Sequence, residues 1–390
     1  MTLARQSIVD LPDSPIIEVW RLGIGRPDVI GLWAGESDLP TPQAFCDAAS
    51  RALAEGKTFY SQNRGIPELR QAIRAYYARL CGLEIADERV AVTSSGMNAV
   101  MLIAQAIVNP GDNIVCVTPS WPNILRAARI TGADVRTVSL QHGDDGWHLD
   151  LEELFAACDA RTKAIYYASP GNPTGWMLER DQQQRLLAFA REREIAIIAD
   201  EVYQRIVYDR PYATSLAELA TPRDPVFVVN SFSKAWAMTG WRLGWMIYPE
   251  TFLDTFEKLI QFNTSGGQAL LQEGAVVALN EGEPFVQSFV ARCRGGRQIV
   301  LDRLHSMPGV NIVPNHASFY TMFSIEGVTD TLDFCKRAVL DAGVGLAPGV
   351  AFGDDAAQQI RLCYARSDAS LMTAMDRLET FVTQQRRSQF

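Results

Sequence analysis

Residues 195–199, Ile-Ala-Ile-Ile-Ala, form an unbroken apolar run that stops at Asp200 and is followed by Glu201, Val202 and Tyr203. A strand with no polar position has no solvent face, so it is expected inside a parallel sheet covered on both sides. In such sheets ligands collect beyond the carboxyl ends of the strands, and a carboxylate placed there is a candidate binding group. The bland alternative, an Asp that caps a following helix, is common at this kind of position. Two further apolar runs end in the same manner. Residues 164–168 open into Ser169-Pro-Gly-Asn-Pro-Thr-Gly175, which carries Asn172, and residues 226–229 lead to Ser231, Ser233 and Lys234. Three strand ends bearing Asn172, Asp200 and Lys234 in this order make a cap alone an insufficient account. They predict an α/β fold with its site along one edge of a mostly parallel sheet.

The third strand end is the richest. Residues 230–245, Asn-Ser-Phe-Ser-Lys-Ala-Trp-Ala-Met-Thr-Gly-Trp-Arg-Leu-Gly-Trp, bring together two hydroxyls, an amine and the guanidinium of Arg242. That set suits a cofactor carrying both an aldehyde and a phosphate. The amine of Lys234 reacts with the aldehyde, while Arg242, Ser231 and Ser233 hold the phosphate oxygens. Pyridoxal phosphate is that cofactor. A lone Ser-x-Ser-Lys would read as a strand end with a solvated lysine, but the surrounding Gly and Trp residues and the other motifs decide against this. A second anion site is read at 90–98, where a short apolar run passes through Ser94-Ser-Gly-Met-Asn98 into a helical pattern over 99–108. Unpaired amides at a helix start point at a negative ligand. Trp121, after the strand expected at 113–117, offers a flat face on which a ring can stack.

Ser231-Phe-Ser-Lys234 with Gly240-Trp-Arg-Leu-Gly244 resembles the lysine segment of class I/II aminotransferases, pyridoxal-phosphate enzymes of fold type I in the aspartate aminotransferase superfamily. The Ser169–Gly175 motif and Gly35-Glu-Ser-Asp-Leu-Pro-Thr-Pro42 carry the resemblance over residues 35–367. It implies a large cofactor-binding domain with a mostly parallel, seven-stranded sheet over 45–280, and a smaller α/β domain over 281–390. An N-terminal arm, 1–44, would supply part of the smaller domain. The resemblance further implies that Lys234 is the catalytic residue, that Ser95, Gly96 and Met97 carry the phosphate with Ser231, Ser233 and Arg242, and that Trp121 stacks on the pyridine. Asp200 is implied to pair with the ring nitrogen, and Asn172 and Tyr203 to hydrogen-bond the phenolic oxygen. Gly35, Asn172 and Arg361 are implied to lie against the substrate, with Arg361 holding its α-carboxylate in a two-pronged bond. Tyr60, in Tyr60-Ser-Gln-Asn-Arg-Gly-Ile-Pro-Glu-Leu-Arg70, is implied to reach the phosphate of a neighbouring subunit, so that the active sites belong to a homodimer. From this chain alone, an aromatic packed under the following helix is an equal reading of Tyr60.

The implied reaction is transfer of an amino group from an L-amino acid to a 2-oxo acid such as 2-oxoglutarate. Some aspartate-specific relatives place a lysine in the phosphate turn where this chain has Met97, and Ile16 and Ile17 lie in the arm that would cover the substrate side chain. Both departures favour a neutral or apolar side chain. Arg21 or Arg26 as a distal charge partner keeps aspartate aminotransferase open, and a lyase or synthase on the same fold would use the same residues. Other readings fail on spacing. Gly23-Ile-Gly-Arg-Pro-Asp28 lacks the third glycine and preceding strand of a dinucleotide site, and Gly56-Lys-Thr58 has Arg51 where a triphosphate loop needs glycine. In His142-Gly-Asp-Asp-Gly-Trp-His148 the Asp-Gly pair is read as a turn ahead of a metal site. A net charge of −9 argues against nucleic acid and anionic membranes as partners. It also weighs against a transcription regulator, for whose DNA-binding domain the residues before Gly35 are too few. Seven scattered cysteines suit a reducing cytoplasm, charges interrupt any signal-peptide core in 1–30, and no apolar run reaches membrane-spanning length. A helical stretch over 251–305, interrupted at 263–267, and a strand at 344–348 complete the expectations.

Overall fold

The apolar runs pair into one sheet in the computed structural model, which describes residues 3–388. Val90–Thr93 (β1), Asn113–Thr118 (β2), Asp134–Ser139 (β3), Thr162–Ala168 (β4), Ala196–Asp200 (β5), Val226–Ser231 (β6) and Gly244–Ile247 (β7) lie in the order β1-β7-β6-β5-β4-β2-β3. Neighbours run parallel except at β7, which is antiparallel to both β1 and β6. Every position of β5 is buried, because apolar clusters cover both faces: Val115, Ile165, Ile197 and Val228 on one, Ile114, Tyr166, Ile198 and Val229 on the other. Successive side chains of a strand alternate between faces, so Asp200 shares the face of Ile198. Tyr166 lies on the same face in the next strand, since Tyr166 pairs with Ile198 and Ala168 with Asp200.

A helix, Pro15–Gly23 (α1), carries the arm, and Gly96–Ile107 (α2) follows β1. α2 begins three residues before its apolar pattern, because the Ser95 hydroxyl caps it by accepting from the Asn98 N–H at 3.1 Å. Its start lies against β7. A Cβ on Gly244 would come within 2.6 Å of the Gly96 nitrogen and 2.8 Å of the Asn230 carbonyl oxygen, which only glycine avoids.

A second, antiparallel sheet joins Val310–Val313 (β8), Tyr320–Ile325 (β9), Ala347–Pro348 (β10) and Ile360–Cys363 (β11) in the order β8-β9-β11-β10. Its core draws on Val19, Leu32 and Trp33 from the arm as well as Leu362, Leu371 and Leu378. The strand expected at 344–348 is corrected to two pieces. Val344–Gly345 pairs in parallel with Ile30–Gly31, while Ala347–Pro348 joins β11. Gly345 leaves room for the arm's indole, since a Cβ there would meet the Trp33 ring at 1.9 Å. The helical stretch is broken twice, into Leu253–Asn263, Ala269–Glu281 and Glu283–Ser306 (α3). The second break, at Gly282, was not expected; Pro284 follows in the first turn of α3, where its missing N–H has no helical partner to lose. The segment around Asp144 is a hairpin of Gln141–Gly143 against Gly146–His148, as its turn signal predicts. Among the described residues no group of His, Cys, Asp or Glu is arranged to hold a metal, and no helix is long and apolar enough to cross a membrane.

Candidate active site

The carboxyl ends of β4, β5 and β6, the start of α2, the arm and the second sheet enclose a cavity of about 370 Å³. Every residue assigned from the sequence to catalysis, the cofactor or the substrate α-carboxylate lines it except Ser95 and Tyr60, while of the arm residues Ile16 lines it and Ile17, Arg21 and Arg26 do not. Ser95 lies beneath the wall at φ 133°, its hydroxyl engaged in the α2 cap. Tyr60 stands 93% exposed on the outer surface beside the Thr264–Gln268 loop, outside this cavity.

Lys234 follows directly from the end of β6. Its Nζ donates to the Gly35 carbonyl at 2.6 Å and lies 5.7 Å over the Tyr203 ring. Burial in the cavity wall pulls the amine down to about 8, and the nearby Arg361 guanidinium works in the same direction. A lysine so depressed supplies neutral amine near neutral pH, the form able to attack a carbonyl or accept a proton.

Asp200 ends β5 with its carboxylate buried. Oδ2 accepts from the Tyr166 hydroxyl at 3.0 Å and Oδ1 from the Val202 N–H at 3.3 Å. Burial nonetheless pushes the carboxyl up to about 6. A buried carboxylate at a cavity edge is stabilised by a cationic ligand group.

Elsewhere in the wall, Gly96 and Met97 present the first amides of α2, and the Ser231 and Ser233 hydroxyls lie 2.8 Å apart. Arg242 sits in the left-handed region at φ 55° and is held by its Nη1 donating to the Thr239 carbonyl at 2.7 Å. Helix-start amides, two hydroxyls and a guanidinium make a donor set for a phosphate. With a buried carboxylate for a ring nitrogen and an amine for an aldehyde, the residues present fit pyridoxal phosphate.

Arg361, from β11, is held on all sides. Nη1 donates to Asn172 Oδ1 at 2.8 Å, Nη2 donates to the Trp33 carbonyl, and the guanidinium lies between the rings of Tyr320 at 4.4 Å and Phe352 at 4.7 Å. Its Nε is buried with no hydrogen-bond partner among the described residues. A planar cation fixed this way is ready for a carboxylate.

Sequence reasoning missed Tyr320, Tyr166 and Glu36. The Tyr320 hydroxyl meets that of Tyr203 at 2.5 Å, and a Cβ on Gly35 would fall 2.1 Å from it. The available signal was a phenol in an apolar strand, because a buried hydroxyl needs a partner. Glu36 stands in the wall and accepts from the Thr239 hydroxyl at 3.3 Å.

The family model described as aminotransferase class I and II matches residues 27–378. The aspartate aminotransferase of Thermotoga maritima is 33% identical over 356 residues, covering 91% of this chain and 92% of the relative. The probable N-acetyl-LL-diaminopimelate aminotransferase of Bacillus subtilis is 31% identical over 366 residues, covering 93% and 91%. The solved structure of the Thermus thermophilus aspartate aminotransferase with maleate superposes with a TM-score of 0.91 at 30% identity, covering 97% of this chain and 100% of that one.

Proposed function

The chain belongs to the class I and II aminotransferases, pyridoxal-phosphate enzymes of fold type I, and within that family we propose that it takes the amino group from L-amino acids with neutral or apolar side chains and delivers it to a 2-oxo acid such as 2-oxoglutarate. The observation that carries this preference is the inventory of cations in the cavity wall. Among the described residues these are Lys234, Arg242 and Arg361 alone, and each already has a task. Ile16 and Met97 line the wall, whereas Arg21 and Arg26 do not, and Arg26 is paired with Asp28 at 2.7 Å. A side-chain carboxylate would find no cation of this chain and would meet Glu36. Aspartate is the second reading, favoured by the names of the relatives.

Bound in this cavity, the cofactor supplies an aldehyde that exchanges amino groups and a ring that takes up the charge left at the substrate's Cα. Gly96, Met97, Ser231, Ser233 and Arg242 hold its phosphate, with Ser95 fixing the α2 start from below, and Trp121 lies against its ring. Asp200 holds the proton on the ring nitrogen, while Asn172 and Tyr203 hydrogen-bond the phenolic oxygen. Arg361 grips the substrate's α-carboxylate against the Gly35 backbone, which gives its buried Nε an acceptor. The Lys234 amine, whose depressed basicity supplies neutral amine near pH 8, would take the proton from the substrate's Cα and hold it at Nζ.

The cofactor-binding domain spans 45–280, and a smaller domain spans 281–390 and is completed by 1–44. The enzyme is a cytoplasmic homodimer in which Tyr60 reaches the phosphate of the neighbouring subunit. The exposed aromatics at Phe59, Tyr60 and Phe262 support that association, and the seven free cysteines support a reducing compartment.

Absorbance spectra of the holoenzyme, taken as single amino acids are added, test the reading. Apolar and neutral amino acids are expected to bleach the cofactor band and 2-oxoglutarate to restore it. Because an uncompensated buried charge costs several kcal/mol, aspartate should be poorer in kcat/KM by more than about tenfold. Aspartate as the best donor overturns the substrate preference, and ammonia released without any oxo acid would mark an elimination instead.

A further inference from the structure

Tyr166 stands in the middle of β4 with no exposed surface. Its neighbours on that face, Ile114, Cys116 and Ile198, are apolar or nearly so. A phenol placed there is costly unless its hydroxyl finds a partner, and the partner is Asp200 Oδ2 at 3.0 Å. We propose that Tyr166 is a positioning residue of the transamination site: it donates to Asp200, keeps that carboxylate ionised and aimed at the cavity, and so keeps the proton on the cofactor's ring nitrogen. This inference rests on the preceding reading of Asp200 as the ring-nitrogen partner.

A hydrogen bond from a neutral donor favours the charged form of a carboxylate. Without it burial acts on Asp200 opposed by the Val202 N–H alone among its hydrogen bonds to the described residues, and the proton shared with a ring nitrogen shifts toward the carboxylate. The other titratable groups around the pair do not substitute for Tyr166. Glu201, next in the chain, is pushed up to about 8 by burial and is largely neutral below that pH. Cys116, from β2 beside Tyr166, is pushed up by burial and stays a thiol. Lys234 acts on Asp200 through charge and not through a hydrogen bond. The Tyr166 phenol is itself driven well above its ordinary range by burial, so it remains the donor. Ser120 Oγ lies beside the phenol as a donor to its oxygen, which leaves the phenol's own proton for Asp200.

Tyr166→Phe keeps the ring and removes the oxygen. Two readouts besides activity report on it in the holoenzyme: the dissociation constant of the cofactor, and the pH midpoint at which the visible cofactor band titrates with the proton at Lys234 Nζ. Positive charge on the ring disfavours that proton, so losing the ring-nitrogen charge should raise the midpoint by about one unit, and the dissociation constant should rise about tenfold or more, the size expected for a hydrogen bond to a charged group. Asp200→Asn alone should also shift the midpoint, and Tyr166→Phe added to Asp200→Asn should shift it no further. A Tyr166→Phe midpoint equal to wild type while Asp200→Asn shifts it refutes the role of Tyr166, as does a Tyr166→Phe shift that persists in the Asp200→Asn background. An unshifted Asp200→Asn refutes the reading of Asp200 itself, which is a separate failure. If Tyr166→Phe does not fold, 3-fluorotyrosine at position 166, a stronger donor of nearly the same size, should lower the midpoint, and no change there counts against the proposal.

Discussion

Glu201 shows how much the environment of one side chain decides. It follows Asp200 in the chain yet is even more deeply buried, with Oε1 accepting from the Leu216 N–H at 2.8 Å and Oε2 lacking a hydrogen-bond partner among the described residues. Burial raises its carboxyl from 4.5 to about 8. A folded-state value above the unfolded one means that the folded chain binds the proton more tightly. The stability so contributed is full below pH 4.5 and is lost as pH rises through about 8. Asp200 adds a loss of the same sign up to about 6, whereas Asp224, held at about 2 by Arg191, loses its contribution only in strong acid. The urea midpoint of the cofactor-free protein is therefore expected to fall between about pH 5 and 8, and Glu201→Gln to flatten that fall. An unchanged slope in the variant would show that Glu201 ionises freely. Lys234, Asp200 and Arg361 were legible because a charged residue beside an apolar strand demands an explanation. Tyr166 and Tyr320 carried only the weaker signal of a phenol in an apolar strand, which packing of the ring in the core explains as well.

Elements place the phosphate donors, and here the constraint is steric. β7 returns antiparallel against β1 and β6, and its first residue, Gly244, lies against the start of α2 with backbone atoms as the nearest neighbours. Backbone cannot swing aside as a flexible side chain does. Gly244→Ala is expected to push Gly96 and Met97 outward and to destabilise the fold by about 1–3 kcal/mol or more, the range for overpacked interiors. Thermal melting reads the stability, and weakened cofactor binding reads the displaced amides; a variant as stable as the parent would mean that α2 can shift without cost. The strand–turn–helix around Gly96 was visible in the sequence as a change of period from strand to helix. The break at Gly282 was hidden because helical apolar patterns continue on both sides of it, and the division of 344–348 depends on an arm far away in sequence.

At the scale of the whole molecule, Phe59, Tyr60 and Phe262 are 85%, 93% and 83% exposed, unusual for large aromatics. A second copy of the chain covering them would explain both this exposure and the absence of Tyr60 from its own chain's cavity. Phe262→Glu is expected to weaken association by about 30-fold or more, as for loss of an interface anchor, with sedimentation equilibrium as the measurement. Undiminished association would place the contact elsewhere. The sequence pattern was least informative at this scale, since exposure is a property of the assembled surface. Trp33 and Leu32 are packed among residues of the C-terminal part, and Ile30–Gly31 takes Val344–Gly345 as its strand partner. The ribosome therefore releases the first segment long before its neighbours exist. The strand pairing of Ile30–Gly31 waits until Val344–Gly345 has been made, so the arm is fixed in place late in synthesis.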